Sequence, residues 1–276
     1  MVGRRPGEVP NFTSPRHEGA YVSGDLGPDG AAVALLEAHQ PRLVLNAAAL
    51  SRVGDCEQDP ALARRLNVEV PAEVAAWCAA SGARLVHVST DLVFGAEPPP
   101  IGGFTEDSAV GPVSVYGETK AAGERAVLDA CPAALVVRLA LLYGNSGGRG
   151  LGASDSLLEA VNRDAQPPLF VDEFRTPLEV SAAAEALTEL LVADDAGLLH
   201  LAGPDRVSRH DLGLAVLRAM GLTAEEAVEQ VRAARQAEVP TVGARPEDVS
   251  LDARRAARRL ETDLPGIPLG TRRAVT

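Results

Sequence analysis

Arg84-Leu85-Val86-His87-Val88-Ser89, followed at once by Thr90-Asp91, is a short and largely apolar run that ends in polar residues. It predicts a strand over residues 84–89, because a run this short and free of glycine and proline lacks the length of a helix. On either side the period changes. Residues 60–81 upstream and 115–129 downstream carry apolar side chains at helical spacing, and beyond them residues 42–48 and 135–139 return to compact apolar runs. Strands alternating with helices in this way imply parallel strands joined by crossover helices, so the predicted fold class is α/β.

Farther out, residues 20–26 predict one more strand and residues 29–38 a helix, which together make a βα unit. In the other direction a glycine-rich loop at 145–152 leads into a less regular pattern. Helices are predicted there at 154–163, 181–192 and 209–220, with a strand-like run at 169–172 between prolines and a small helix at 252–260. The change of pattern predicts a domain boundary near residue 150.

The formal charge of −12 gives a surface that repels phosphate chains, and no long basic run offsets it, so no nucleic-acid partner is expected. Arg254-Arg255-Ala256-Ala257-Arg258-Arg259 reads as the solvated face of a helix. Cys56, Cys78 and Cys131 have neither C-x-x-C nor ligand spacing, which predicts no disulfide framework and no metal site. No apolar run approaches the roughly 20 residues that span a bilayer, and no apolar leader opens the chain, so the expectation is a cytoplasmic protein without a membrane partner. His87 and His200 fall in strand-like runs and are expected in the core, whereas Asp107, Glu118 and Glu124 read as helix-start and surface carboxylates.

Chemistry concentrates in Tyr116-Gly117-Glu118-Thr119-Lys120, at the start of the helix predicted over 115–129. Side chains four apart share a helix face, so the phenol and the amine can act together. A phenol with a pKa near ~10 is a poor proton donor at neutral pH, and a neighbouring ammonium is expected to lower that value. About 25 residues upstream, Thr90 closes the strand over 84–89 at its carboxyl end, where open α/β sheets place their ligands, and its hydroxyl can bond a carbonyl oxygen.

Four strings stand in an order and spacing that resemble the dTDP-4-dehydrorhamnose reductases, a branch of the extended short-chain dehydrogenase/reductases. They are Asn46-Ala47-Ala48-Ala49, Val88-Ser89-Thr90-Asp91-Leu92-Val93-Phe94-Gly95, Tyr116-Gly117-Glu118-Thr119-Lys120-Ala121-Ala122-Gly123-Glu124, and Val137-Arg138 through Tyr143-Gly144. The similarity continues through Val171-Asp172-Glu173-Phe174-Arg175-Thr176-Pro177, Leu199-His200-Leu201-Ala202-Gly203 and Arg245-Pro246-Glu247-Asp248-Val249-Ser250-Leu251-Asp252, and so covers nearly everything after Tyr21.

That resemblance implies a Rossmann-type, doubly wound parallel sheet in residues 1–150, with the catalytic residues, and a smaller α/β substrate lobe in 151–276 with segments that return to the first domain. It implies Thr90, Tyr116 and Lys120 as the catalytic residues. Tyr116 and Lys120 would also touch the cofactor, together with Ala47, Ala48, Ala49, Asn67 and the pair Asp25-Leu26. Ser51, Val53, Thr90, Asp91 and Arg175 are implied on the substrate side. Arg4 and Arg5 are placed where relatives accept a 2′-phosphate, so NADP(H) is expected rather than NAD(H).

The sequence departs from the family in two respects. No G-x-x-G-x-x-G or G-x-G-x-x-G precedes the Asp25-Leu26 pair, so the resemblance implies that the family's first strand and helix are missing. The expectation is a natural product longer by ~25 to 35 residues, the size of that strand–loop–helix unit, without which cofactor affinity should collapse. Leu92 and Leu141 stand where rhamnose-forming relatives carry a tyrosine and a tryptophan, which leaves room for a different sugar. The implied activity is NADP(H)-dependent reduction of a 4-keto nucleotide-sugar by a monomer or homodimer. Two alternatives stay open: a non-catalytic regulatory subunit, like the β subunit of methionine adenosyltransferase, and an inactive truncated paralogue.

Overall fold

The computed structural model describes residues 22–144, 152–163, 165–268 and 271. Arg4 and Arg5, and most of the glycine-rich loop after Gly144, lie outside the described residues. Strands β1 (Leu43–Asn46), β2 (Arg84–Thr90) and β3 (Leu135–Leu139) alternate with helices α1 (Ala31–His39), α2 (Val53–Gln58), α3 (Pro60–Arg64), α4 (Val70–Ser81) and α5 (Val115–Ala130). The chain continues through β4 (Leu142–Tyr143), α6 (Ala153–Val161), β5 (Pro168–Phe170), β6 (Phe174–Arg175), β7 (Leu178–Glu179), α7 (Val180–Val192) and β8 (Gly197–Leu201). It ends with β9 (Val207–Ser208), α8 (Arg209–Ala219), α9 (Ala224–Glu229), β10 (Arg232–Ala234) and α10 (Arg254–Arg259).

The main sheet has the order β1-β2-β3-β8, and every pairing in it is parallel. Neighbouring residues of β2 show why both faces are covered. Leu85 packs with Val74, Trp77 and Val127 under α4 and α5, while Val86 packs with Ala182, Leu187 and Leu190 of α7 on the other side. Burial of each such leucine or valine contributes about 1.5–3 kcal/mol, and a strand buried on both faces needs the continuous apolar run seen in the sequence. The α/β class is as predicted. Three two-stranded pairs, β10-β5, β4-β7 and β6-β9, organise much of the remaining chain.

Two expectations need correction. Residues 22–26 form no strand; the Asp25 carboxylate instead accepts the Gly27 N–H at 2.8 Å, a local turn that competes with extended pairing. The helix predicted over 60–81 is interrupted by a π-turn at Arg65–Glu69. Pro71 has no N–H to give to the carbonyl four residues back, that of Asn67, and the widened turn accommodates the loss.

Candidate active site

Ser114 caps α5 by accepting the Gly117 N–H at 3.2 Å, which fixes where the helix starts and therefore where Tyr116 and Lys120 emerge. The helix sits unusually close to its neighbours. A Cβ added at Gly117 would lie 2.2 Å from the Leu92 carbonyl oxygen, and one at Gly123 would lie 2.1 Å from that of Asn67. Glycine at both places lets α5 press against the end of β2 and against the π-turn.

Thr90, Tyr116 and Lys120, expected to act together, line one cavity of about 540 Å³ at the carboxyl end of the sheet. Ala47, Ala49, Ser51, Val53, Asp91 and Arg175 line it as well, as do Leu92 and Leu141. Ala48 and Leu26 face a second cavity of about 290 Å³ beside β1, and Ala47 borders both. Asp25 is exposed. Asn67 is fully buried, and its amide is occupied by the backbone of Leu50 at 2.8 and 3.1 Å and by Thr119 Oγ1 at 3.1 Å. It braces the loop after β1 against α5 and does not line either cavity.

The Thr90 hydroxyl donates to Asp91 Oδ1 at 3.1 Å and accepts from the Leu92 N–H at 3.2 Å. Burial holds the Tyr116 phenol well above its ordinary pKa, against a hydrogen bond with Thr90 that works the other way. The lowering expected from Lys120 is therefore not what the structure gives. Lys120 is spent elsewhere: its Nζ donates to the Val88 carbonyl at 2.7 Å and stands 3.4 Å from His87 Nε2. Burial brings the Lys120 amine down to about 8, with the Glu124 carboxylate pulling it back up.

Of the 26 lysines and arginines in the sequence, Lys120 is the only lysine. A chain that fills every other Lys/Arg position with arginine keeps a primary amine at this one, where a compact ammonium meets the Val88 carbonyl and His87. That compositional signal was available without a structure.

In the lining of the same cavity, sequence reasoning missed Glu173, Arg209 and Arg245. Glu173 is buried and draws three guanidinium groups: Arg175 at 3.3 Å, Arg245 at 3.3 Å and Arg209 at 3.8 Å. Arg175 is itself buried, not solvated; it donates to the carbonyls of Phe174 at 2.7 Å and Pro246 at 3.3 Å and lies 3.9 Å from Asp91 Oδ2. Three cations thus meet two carboxylates, and the surplus charge sits on Arg209 and Arg245, whose side chains remain partly exposed. Nothing local in the sequence marks Arg209, because its partners come from other elements.

The model of the RmlD substrate binding domain family matches residues 16–274. The chain belongs to that family. The dTDP-4-dehydrorhamnose reductase of Salmonella typhimurium is 31% identical over 246 residues, covering 86% of this chain and 80% of that protein. Methionine adenosyltransferase 2 subunit beta of Xenopus tropicalis is 33% identical over 201 residues, 70% of this chain and 59% of that protein. Among solved structures, the dTDP-4-dehydrorhamnose reductase of Bacillus anthracis in complex with NADP superposes with a TM-score of 0.80 at 20% identity, covering 91% of this chain and 86% of that one. Among the described residues no helix is long and apolar enough to cross a membrane.

Proposed function

We propose that this family member reduces a keto group, at C4 of a nucleotide-linked sugar, with NADP(H) as the reductant. The observation that carries the reading is the shared cavity, which Thr90, Tyr116 and Lys120 line together with Arg209 and Arg245. The cationic wall fits the diphosphate of a nucleotide-sugar, since guanidinium pairs with phosphate oxygens in forked geometry. In a chain of net charge −12, a local surplus of positive charge in one cleft selects for an anionic ligand there.

The residues present fit a nicotinamide dinucleotide laid across the strand ends. Ala47 borders both cavities, and the small side chains of Ala47, Ala48 and Ala49 allow close approach to the backbone, with Leu26 in the second cavity. Bound there, the reduced cofactor supplies hydride to the carbonyl carbon. Tyr116, held protonated by its burial, donates its proton to the carbonyl oxygen. Thr90 turns its hydroxyl from Asp91 to the same oxygen and steadies the developing charge. Two of the three N–H donors of Lys120 are engaged by Val88 and His87, which leaves one for a ribose hydroxyl. Ser51, Val53, Asp91 and Arg175 shape the sugar side, and Leu92 and Leu141 make that side apolar.

The test is loss of NADPH absorbance with a dTDP-4-dehydro-6-deoxyhexose, comparing the chain with Tyr116→Phe. Turnover that falls nearly to zero in the variant supports the assignment; full turnover rejects it. The similarity to methionine adenosyltransferase 2 subunit beta supports a second reading, a binding subunit without chemistry. Under that reading no keto-sugar is reduced, and substitution of Thr90 leaves partner binding unchanged.

A further inference from the structure

Glu124, expected on the surface, is buried to 4% exposure. It lies on the inward stripe of α5 that also carries Tyr116 and Lys120, one turn beyond the lysine. Both oxygens are engaged: Arg138 of β3 donates to Oε1 at 3.0 Å and to Oε2 at 2.8 Å, and Ser89 of β2 donates its hydroxyl to Oε1. Arg138 is anchored in turn against His200 of β8 at 3.4 Å. The carboxylate is therefore fixed in place inside the core, one helical turn from Lys120.

Lys120 has no carboxylate in contact with it. Its immediate partners are a backbone carbonyl and the buried His87, whose Nδ1 has no partner among the described residues. The titratable groups that act on the amine are Glu124 from its own helix and His87 from β2, with Arg138 beyond Glu124. Glu124 is the only anion in that set. A buried ammonium without a nearby anion reverts to the neutral amine, because desolvation disfavours the charged form.

We propose that Glu124, locked by Arg138 and Ser89, is a positioning residue that keeps Lys120 in its ammonium form beneath the substrate cavity. Arg138 and Ser89 act through it by holding the carboxylate in place. The burial that lowers the Lys120 amine, and the opposing pull of Glu124, agree with this arrangement. The inference rests on the reading of Lys120 as an active-site amine, but its test needs neither cofactor nor substrate.

Because Lys120 is the only lysine, a protein labelled with 13C-lysine gives one Cε resonance, whose shift against pH reads the charge of this amine directly. The native protein should titrate with a midpoint near 8. Glu124→Gln should lower that midpoint by about one pH unit or more, and Glu124→Asp, which keeps the charge at a longer reach, should lower it by less. An unchanged midpoint in a folded Glu124→Gln protein overturns the proposal. Should Glu124→Gln fail to fold, an unchanged midpoint in Glu124→Asp overturns it instead. A chain that shows the expected shifts yet reduces no keto-sugar separates failure of the proposed activity from failure of this inference.

Discussion

Gly123 of α5 faces the carbonyl oxygen of Asn67 so closely that a methyl group on the glycine would lie 2.1 Å from it. The contact joins α5 to the π-turn, where Asn67 also bonds Thr119 and Leu50. Gly123→Ala is therefore expected to push α5 outward and to cost about 1–3 kcal/mol, the usual penalty for overpacking. Urea unfolding followed by circular dichroism measures it; a loss below a few tenths of a kcal/mol would show that the helix can yield.

Lys120→Arg keeps the charge and changes the shape. The pocket offers one carbonyl and one imidazole to a compact ammonium, not a plane of five donors. Under the proposed function, kcat should fall by about 100-fold or more, the range set by loss of a positioned acid–base partner. Steady-state NADPH oxidation decides, and near-native kcat in the variant would remove the need for an amine.

Arg245 stands at the open side of the cationic wall, 3.3 Å from Glu173. Its contact with an anionic substrate would be equal in ground state and transition state, so Arg245→Ala should raise KM by about 10-fold or more and leave kcat close to native. A fall in kcat with KM unchanged would place the substrate's charge elsewhere.

His200 gives a pH dependence of stability. It is buried and accepts from Arg138 while its Nδ1 faces the Phe104 carbonyl at 3.0 Å, and burial lowers it to about 4. The folded value lies below the ordinary ~6.5 of an unfolded chain, so the unfolded state takes the proton first as pH falls. Its contribution is complete above pH ~6.5 and is lost on the way down to pH 4. Between pH 7 and pH 5 the native protein should lose about 2 kcal/mol more than His200→Gln, measured as the difference between their unfolding free energies at the two values. Parallel losses in both proteins would count against the histidine.

The central strands β2 and β3 were legible because burial on both faces demands continuous apolar runs, as in residues 135–139, which the structure returns as β3. That Thr90, Tyr116 and Lys120 meet in one cavity was legible because one sits at a strand end and two share a helix face. Glu124 was not, since a carboxylate on a helix reads as solvent-facing until Arg138, which follows fourteen positions later on a different element, is seen to neutralise it. Arg209 and Arg245 were hidden for the same reason: their meaning depends on Glu173, and only the folded chain brings the three together. The two-residue strands β4, β6, β7 and β9 are too short to carry a period at all.

The solitary amine has a practical consequence. With its side chain only 2% exposed, Lys120 is shielded from amine-directed acylating reagents while the native packing holds. Modification there must wait for the cleft to breathe, so the acylation rate at a single known atom becomes a stopwatch for local opening, readable by mass spectrometry with no probe engineered into the protein.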